Sequence, residues 1–246
     1  MRLLPVLAAL VIAAVLAGAC SQGTAPARKQ SLPGPSGPPA VYAALGASET
    51  AGVGTDDPVR DSFPEQLYLR LPQTAVYYNF GLPGETTAAA LKDELPPAAA
   101  VQPTIATVWF NVDDLAAGVP VSDFESRLEQ IVGQLARGGE TRVLIANTPP
   151  LDDLPAYQAC RPNPPPALKC ALGAVTLPPP EEARALVDAY NAAIVRVAAR
   201  HGATVVDLAS QAGAALAQHP DYVSADGLHP STKGAAAIAA AFAAAL

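Results

Sequence analysis

The chain has few of the residues that mark the commoner classes of partner. Lysine and arginine number 15 against 22 acidic residues, for a formal net charge of −7, and they form no basic patch. That argues against nucleic acid as a partner. There are three histidines and three cysteines in 246 residues, and no histidine or second cysteine pair stands near Cys160 and Cys170. A zinc site is therefore not expected. No glycine-rich loop ends in Gly-Lys-Ser/Thr, and no Gly-x-Gly-x-x-Gly follows a strand-like run, which argues against a phosphate cradle. Aromatics make up only 5% of the chain. Few of them fall in the long loops, against a stacking platform for polysaccharide. No internal repeat is visible.

Half of the residues are apolar, much of that fraction alanine. The length allows one α/β domain of ordinary size plus a leader. Residues 1–19 read as an export signal: Arg2 is the positive end, Leu3 to Leu16 the apolar core and Ala17-Gly18-Ala19 the small-residue exit. Cys20 follows directly, and the stretch resembles a bacterial lipobox with Ala17 at the usual leucine position and Leu16 one place further back. The expectation is a lipid on Cys20 and an extracytoplasmic, membrane-anchored lipoprotein of the bacterial cell envelope. A plain cleaved signal and an uncleaved anchor are the alternatives, although the run is short for a spanning helix. Residues 20–40, rich in Gly, Pro and Ser, read as a disordered tether. With Cys20 set aside, Cys160 and Cys170 remain as a pair, and in an oxidising compartment a disulfide is expected between them. It would contribute on the order of 2–3 kcal/mol.

From residue 41 short apolar runs alternate with helical stretches. Strands are expected at 41–46, 74–79, 105–111, 142–146 and 204–208. Helices are expected near 64–72, 85–94, 122–137, 181–200, 209–218 and 231–245. The 122–137 helix carries an apolar stripe of Phe124, Leu128, Ile131, Val132 and Leu135. Strands alternating with helices predict a parallel sheet covered on both faces. The irregular stretch 147–180 holds ten of the chain's 26 prolines. It is read either as the wall of a site or as a surface insert.

In such sheets ligands bind beyond the carboxyl ends of the strands. There the sequence places Ser48 after the first strand and Asn79 to Thr87 after the second. It places Asn111-Val112-Asp113-Asp114 after the third, and Asp226-Gly227-Leu228-His229-Pro230 before the last helix. Serine-mediated ester hydrolysis needs a nucleophile, a base, a group that orients the base, and oxyanion donors. Ser48, His229 and Asp226 fit the first three. His201 lies in the turn entering the fifth strand, at the opposite edge of the sheet, and His219 ends a helix before Pro220, where it is expected to be solvated. Taken singly, Gly46-Ala47-Ser48 is also an ordinary turn, and Asp226–Pro230 a turn that launches a helix.

These four blocks, in this order over 41–246, resemble the SGNH (GDSL) hydrolases. The resemblance implies a three-layer flavodoxin-like α/β fold with a five-stranded parallel sheet. It implies ester or acyl hydrolysis through an acyl-enzyme, without metal or cofactor. By position Ser48 is the nucleophile, His229 the base and Asp226 its orienter, with the backbone N–H groups of Ser48 and Gly84 in the oxyanion hole. Two positions depart from the pattern. Ala47 replaces the aspartate before the serine. Asp113 replaces the asparagine that supplies a third oxyanion donor, and an ionised carboxylate only accepts. Either Asp113 is protonated and donates, or Asn111 on the same strand face donates instead, or catalysis is weak. The Gly-x-Ser-x-Gly elbow of α/β-hydrolases is absent, because Thr50 stands at its second glycine. The reading is a monomeric serine esterase acting on a small-molecule, lipid or glycan ester, O-acetyl and thioester included. The alternative is a catalytically weak or inactive surface binding lipoprotein on the same scaffold.

Overall fold

β1 (Val41–Gly46) is buried over nearly all its length. Its side chains alternate between two cores, Ala43 and Leu45 to one side, Tyr42 and Ala44 to the other, as the two-residue period of a strand requires. Helices must therefore cover both faces. The computed structural model describes residues 39–166, 169–170 and 177–246. The leader, Cys20 and the tether through Pro38 lie outside the described residues, as do 167–168 and 171–176 of the 147–180 loop.

After β1 come α1 (Ser48–Ala51), α2 (Pro58–Asp61), α3 (Phe63–Tyr68), β2 (Val76–Asn79), α4 (Thr87–Asp93), α5 (Leu95–Ala100), β3 (Ile105–Trp109), α6 (Val112–Ala116) and α7 (Val121–Ala136). The chain continues through β4 (Arg142–Ala146), α8 (Pro155–Cys160), α9 (Pro180–His201), β5 (Thr204–Val206), α10 (Leu208–Gln218) and α11 (Thr232–Ala245). The five strands pair in parallel in the order β2-β1-β3-β4-β5. On one face α4, α5, α7 and α9 close a core that includes Leu95, Phe124, Ile131 and Ile194. On the other, α3, α10 and α11 close one around Phe63, Leu67, Leu208 and Phe242. The chain leaves β1 to one side for β2 and returns on the other for β3. The topological switch point, where such sheets hold their ligands, thus lies at the carboxyl ends of β1 and β3.

All five expected strands are present, with three shifted limits. β2 begins at Val76, two residues later than expected. β3 ends at Trp109, because Asn111 turns the chain into α6. β5 ends at Val206, because Asp207 caps α10 by accepting from the Ser210 N–H at 3.2 Å. The helix expected at 85–94 is two helices broken at Glu94-Leu95, since Pro96 and Pro97 supply no N–H and suit a first turn. The 147–180 loop holds α8, and Cys160 at its end forms a disulfide with Cys170.

Candidate active site

Two tight turns bring the site together. At the end of β1, Gly46 adopts φ +151, and a Cβ there would fall 2.3 Å from Thr50 Oγ1 and 2.5 Å from the Trp109 carbonyl. Only glycine fits, so the chain bends sharply and Ser48 opens α1 at the sheet edge. The first N–H groups of a helix have no intrahelical acceptor, and that of Ser48, the first residue of α1, is one of them. The second turn is 224–230. It is closed by Ser224 N–H to the His229 carbonyl at 2.8 Å and by the Val223–Pro230 bridge. Ser231 then caps α11 through Gly234 N–H at 3.2 Å. Gly54 binds the two turns together: a Cβ on it would lie 2.7 Å from His229 Cβ and 2.6 Å from the Pro230 carbonyl.

The three expected residues meet across this junction. Ser48 Oγ lies 3.0 Å from His229 Nε2, and His229 Nδ1 lies 2.7 Å from Asp226 Oδ2. Asp226 Oδ1 accepts from the N–H groups of Leu228 and His229 at 2.8 and 2.9 Å and from Ser224 Oγ at 2.8 Å. Burial alone would raise the Asp226 pKa, but these hydrogen bonds, led by that from His229, hold it at about 2. Asp226 is thus a carboxylate at neutral pH and can only accept. The proton between the pair sits on Nδ1, leaving the Nε2 lone pair to take the serine O–H. The other histidines lie elsewhere. His201 closes α9 against Glu129 at 2.6 Å, and His219 stacks on Tyr222 at 4.6 Å.

The oxyanion side comes from β2 and β3. Asn79 donates to the Thr50 carbonyl at 2.8 Å and accepts from Gly81 N–H at 3.0 Å, tying the β2–α4 loop to α1. Leu82 N–H donates to the Gly46 carbonyl at 3.0 Å. Gly84 follows at φ +81, and among the described residues its N–H has no partner. The loop is held from α6 as well, where Asp114 accepts from Thr87 N–H at 2.8 Å and Thr87 Oγ1 at 2.7 Å.

Of the two candidates for a third donor, Asn111 is 3% exposed, and its Nδ2 is fully buried without a partner. As placed, it offers a ligand no hydrogen. Asp113 is half-buried and within electrostatic range of His229. Burial, then Asp114, push its pKa up, while His229 pulls it down.

Two further carboxyls were not anticipated from sequence. Glu49 follows the serine; its Oε2 lies 3.4 Å from Ser48 Oγ, a weaker alternative to the His229 contact. Burial raises its pKa, its own N–H and His229 lower it, and Asp113 raises it. An acidic residue directly after the nucleophile, ending an apolar run, was the available signal. Glu94 is 1% exposed beneath the nucleophile turn and accepts from Gly46 N–H at 2.9 Å. Ala47 caps nothing, so Glu94 supplies the side-chain bond that this turn would otherwise lack. Its signal is hidden, because the break between α4 and α5 is what turns it inward. Burial pushes its pKa up to about 9. Among the described residues no group of three His, Cys, Asp or Glu side chains is arranged to hold a metal ion.

A serine, a histidine and an aspartate in hydrogen-bonded series at the carboxyl edge of a parallel sheet have the arrangement of a serine hydrolase. Residues 44–237 match the model of the GDSL-like lipase/acylhydrolase family. The chain belongs to that family and is a hydrolase acting on esters. No curated protein matches it in sequence. Among solved structures it is similar to a lipase/acylhydrolase from Enterococcus faecalis (20% identity, 83% of this chain and 94% of that one, TM-score 0.60). It is similar also to the psychrotrophic esterase EstA from Pseudoalteromonas, in a structure inhibited by monoethylphosphonate (15%, 83% and 95%, TM-score 0.60). A third is an alpha/beta hydrolase enzyme from the metagenome of Lake Arreo, Spain (20%, 84% and 94%, TM-score 0.61). At these identities the likeness is one of fold.

Proposed function

We propose that the protein is a serine esterase that works through an acyl-enzyme outside the cytoplasm, tethered to a membrane by a lipid on Cys20. The observation that carries the chemistry is the series Ser48 Oγ–His229 Nε2 at 3.0 Å and His229 Nδ1–Asp226 Oδ2 at 2.7 Å. His229 Nε2 takes the hydroxyl proton as Ser48 Oγ bonds to the carbonyl carbon. The new negative charge falls on the former carbonyl oxygen, toward the N–H groups of Ser48 and Gly84. Asp226 stabilises the imidazolium. Nε2 then gives its proton to the leaving alkoxide as the carbon–oxygen bond breaks. Water repeats the sequence on the acyl-enzyme, with His229 as base, and frees the acid and Ser48.

The full chain should hydrolyse p-nitrophenyl acetate and butanoate, and Ser48→Ala should not. A p-nitrophenyl alkylphosphonate should add one phosphonyl group to the wild type by intact mass and none to Ser48→Ala. Unchanged turnover in a folded Ser48→Ala protein would sink the reading. Asp113 in the donor position favours a second reading, a disarmed hydrolase scaffold that binds without turnover. That reading is preferred if the wild type is silent and Asp113→Asn gains activity.

A further inference from the structure

A cavity of about 150 Å³ opens at the His229 and Glu49 side chains. From there it extends between α10 and α11, bounded by Pro149, Leu151 and Leu154 of the long loop. Beyond its mouth the lining side chains are almost all hydrocarbon, and none of them is lysine or arginine. Its depth comes from small residues on the facing helices, Ala212 and Ala215 on α10, Ala237 and Ala241 on α11. Gly234 and Ala241, which line its two ends along α11, are two helical turns apart, about 10 Å at 1.5 Å per residue.

We propose that this cavity holds an unbranched hydrocarbon chain of the ester, so that the substrate class is an uncharged medium-chain alkyl or acyl ester. The proposal rests on the serine-esterase reading of the same site. A sugar in this space would have its hydroxyls desolvated against a wall with few hydrogen-bonding groups, at a cost for each unmatched hydroxyl. An anionic headgroup at the mouth would meet the Glu49 carboxyl, with no lysine or arginine among the cavity's lining residues. A methylene chain meets neither penalty, and its burial is favourable in proportion to length. The chain can belong to the acid or to the alcohol half, since the acyl chain is bonded to the carbon that Ser48 attacks and the alcohol chain is one oxygen further out.

The test uses the full chain with Ala215→Phe and Ala237→Phe, which fill the cavity from opposite walls, each checked for folding by its melting curve. One series varies the acid (p-nitrophenyl acetate, butanoate, hexanoate, octanoate). The other varies the alcohol (ethyl, butyl and octyl acetate). In one series kcat/KM should rise roughly threefold to fourfold per methylene until the cavity is full. The rising series identifies the half that is bound. In both variants the ratio of longest to shortest substrate should fall by about tenfold or more, the worth of two buried methylenes. A general loss of catalysis cancels in that ratio. A flat dependence in both series, or a rise that survives both substitutions, overturns the proposal. If the wild type turns over nothing, the esterase reading fails, and calorimetry with 1-octanol decides for the cavity alone. Binding that either phenylalanine abolishes supports the alkyl site, and absence of binding overturns it.

Discussion

Asp113 and Glu94 are both acidic groups lifted by burial, and their effects appear at opposite ends of the problem. A protonated Asp113 can donate to the oxyanion; an ionised one repels it. Its pKa lies above the ordinary 3.8, so the donor is present at low pH and lost as pH rises through that raised value. Asp113→Asn restores a donor that does not titrate. Its kcat should exceed that of the wild type by up to about 10² near neutrality, and the advantage should shrink towards acid. Parallel kcat–pH profiles for the two proteins would remove Asp113 from the oxyanion hole. Glu94 acts on stability. Its carboxyl is held neutral up to about 9 in the fold but ionises near 4.5 when unfolded. The unfolded state therefore binds fewer protons between those values, and stability falls as pH rises through that window. Glu94→Gln keeps the acceptor for Gly46 N–H and cannot ionise. Its melting temperature should decline less than that of the wild type between pH 6 and 9, while Glu94→Ala should be destabilised throughout. Equal slopes for wild type and Glu94→Gln would place the ionisation elsewhere. Ser48, His229 and Asp226 were legible because hydrolysis dictates their types and the turns flanking them are short. Glu49 and Glu94 were not, because what matters for them is which way a neighbouring turn points the side chain.

At the scale of elements, α7 and α9 show how pattern and charge divide the work. The apolar stripe of α7 is buried at all five expected positions. The rim of the same contact is ionic, with Arg196 2.6 Å and Arg200 2.9 Å from Glu125, and Arg200 2.5 Å and His201 2.6 Å from Glu129. Hydrogen bonds from Arg196 above all lower Glu125 to about 2. A depressed carboxylate contributes stability above its unfolded pKa near 4.5 and loses it as pH falls through about 2. Solvent screens the network, so Glu125→Gln should lower the melting temperature by no more than about 2–4 °C at pH 7. The gap to wild type should close between pH 4.5 and 2. A gap that stays constant down to pH 2 would assign the loss to packing. The long helices could be read because each carries several repeats of its period, and the strands because they are short apolar runs alternating with those helices. α1, α2, α6 and α8 span four to six residues, too few for a period to show. The apolar cavity was also invisible, since Leu154, Ala215 and Ala237 come from three distant segments and become one wall only in the fold.

Over the whole molecule, every residue assigned to the chemistry lies between Gly46 and His229, on turns fixed by bonds within the sheet domain. The proposed anchor, Cys20, lies outside that stretch of sequence, and whether catalysis depends on it is measurable. In a bacterial host the full chain should partition with membranes and carry on Cys20 the mass of a diacylglyceryl group plus an amide-linked acyl chain. Cys20→Ala should abolish both the mass and the partitioning. A chain beginning at Pro39, exported with a cleavable signal, should be soluble and keep the kcat of the full chain on p-nitrophenyl butanoate, because every residue assigned to the chemistry lies at or after Gly46. Full-length protein that stays soluble with an unmodified Cys20 would sink the anchor and leave the esterase standing. A shortened chain that folds but loses turnover would show that the N-terminal residues take part in the site after all.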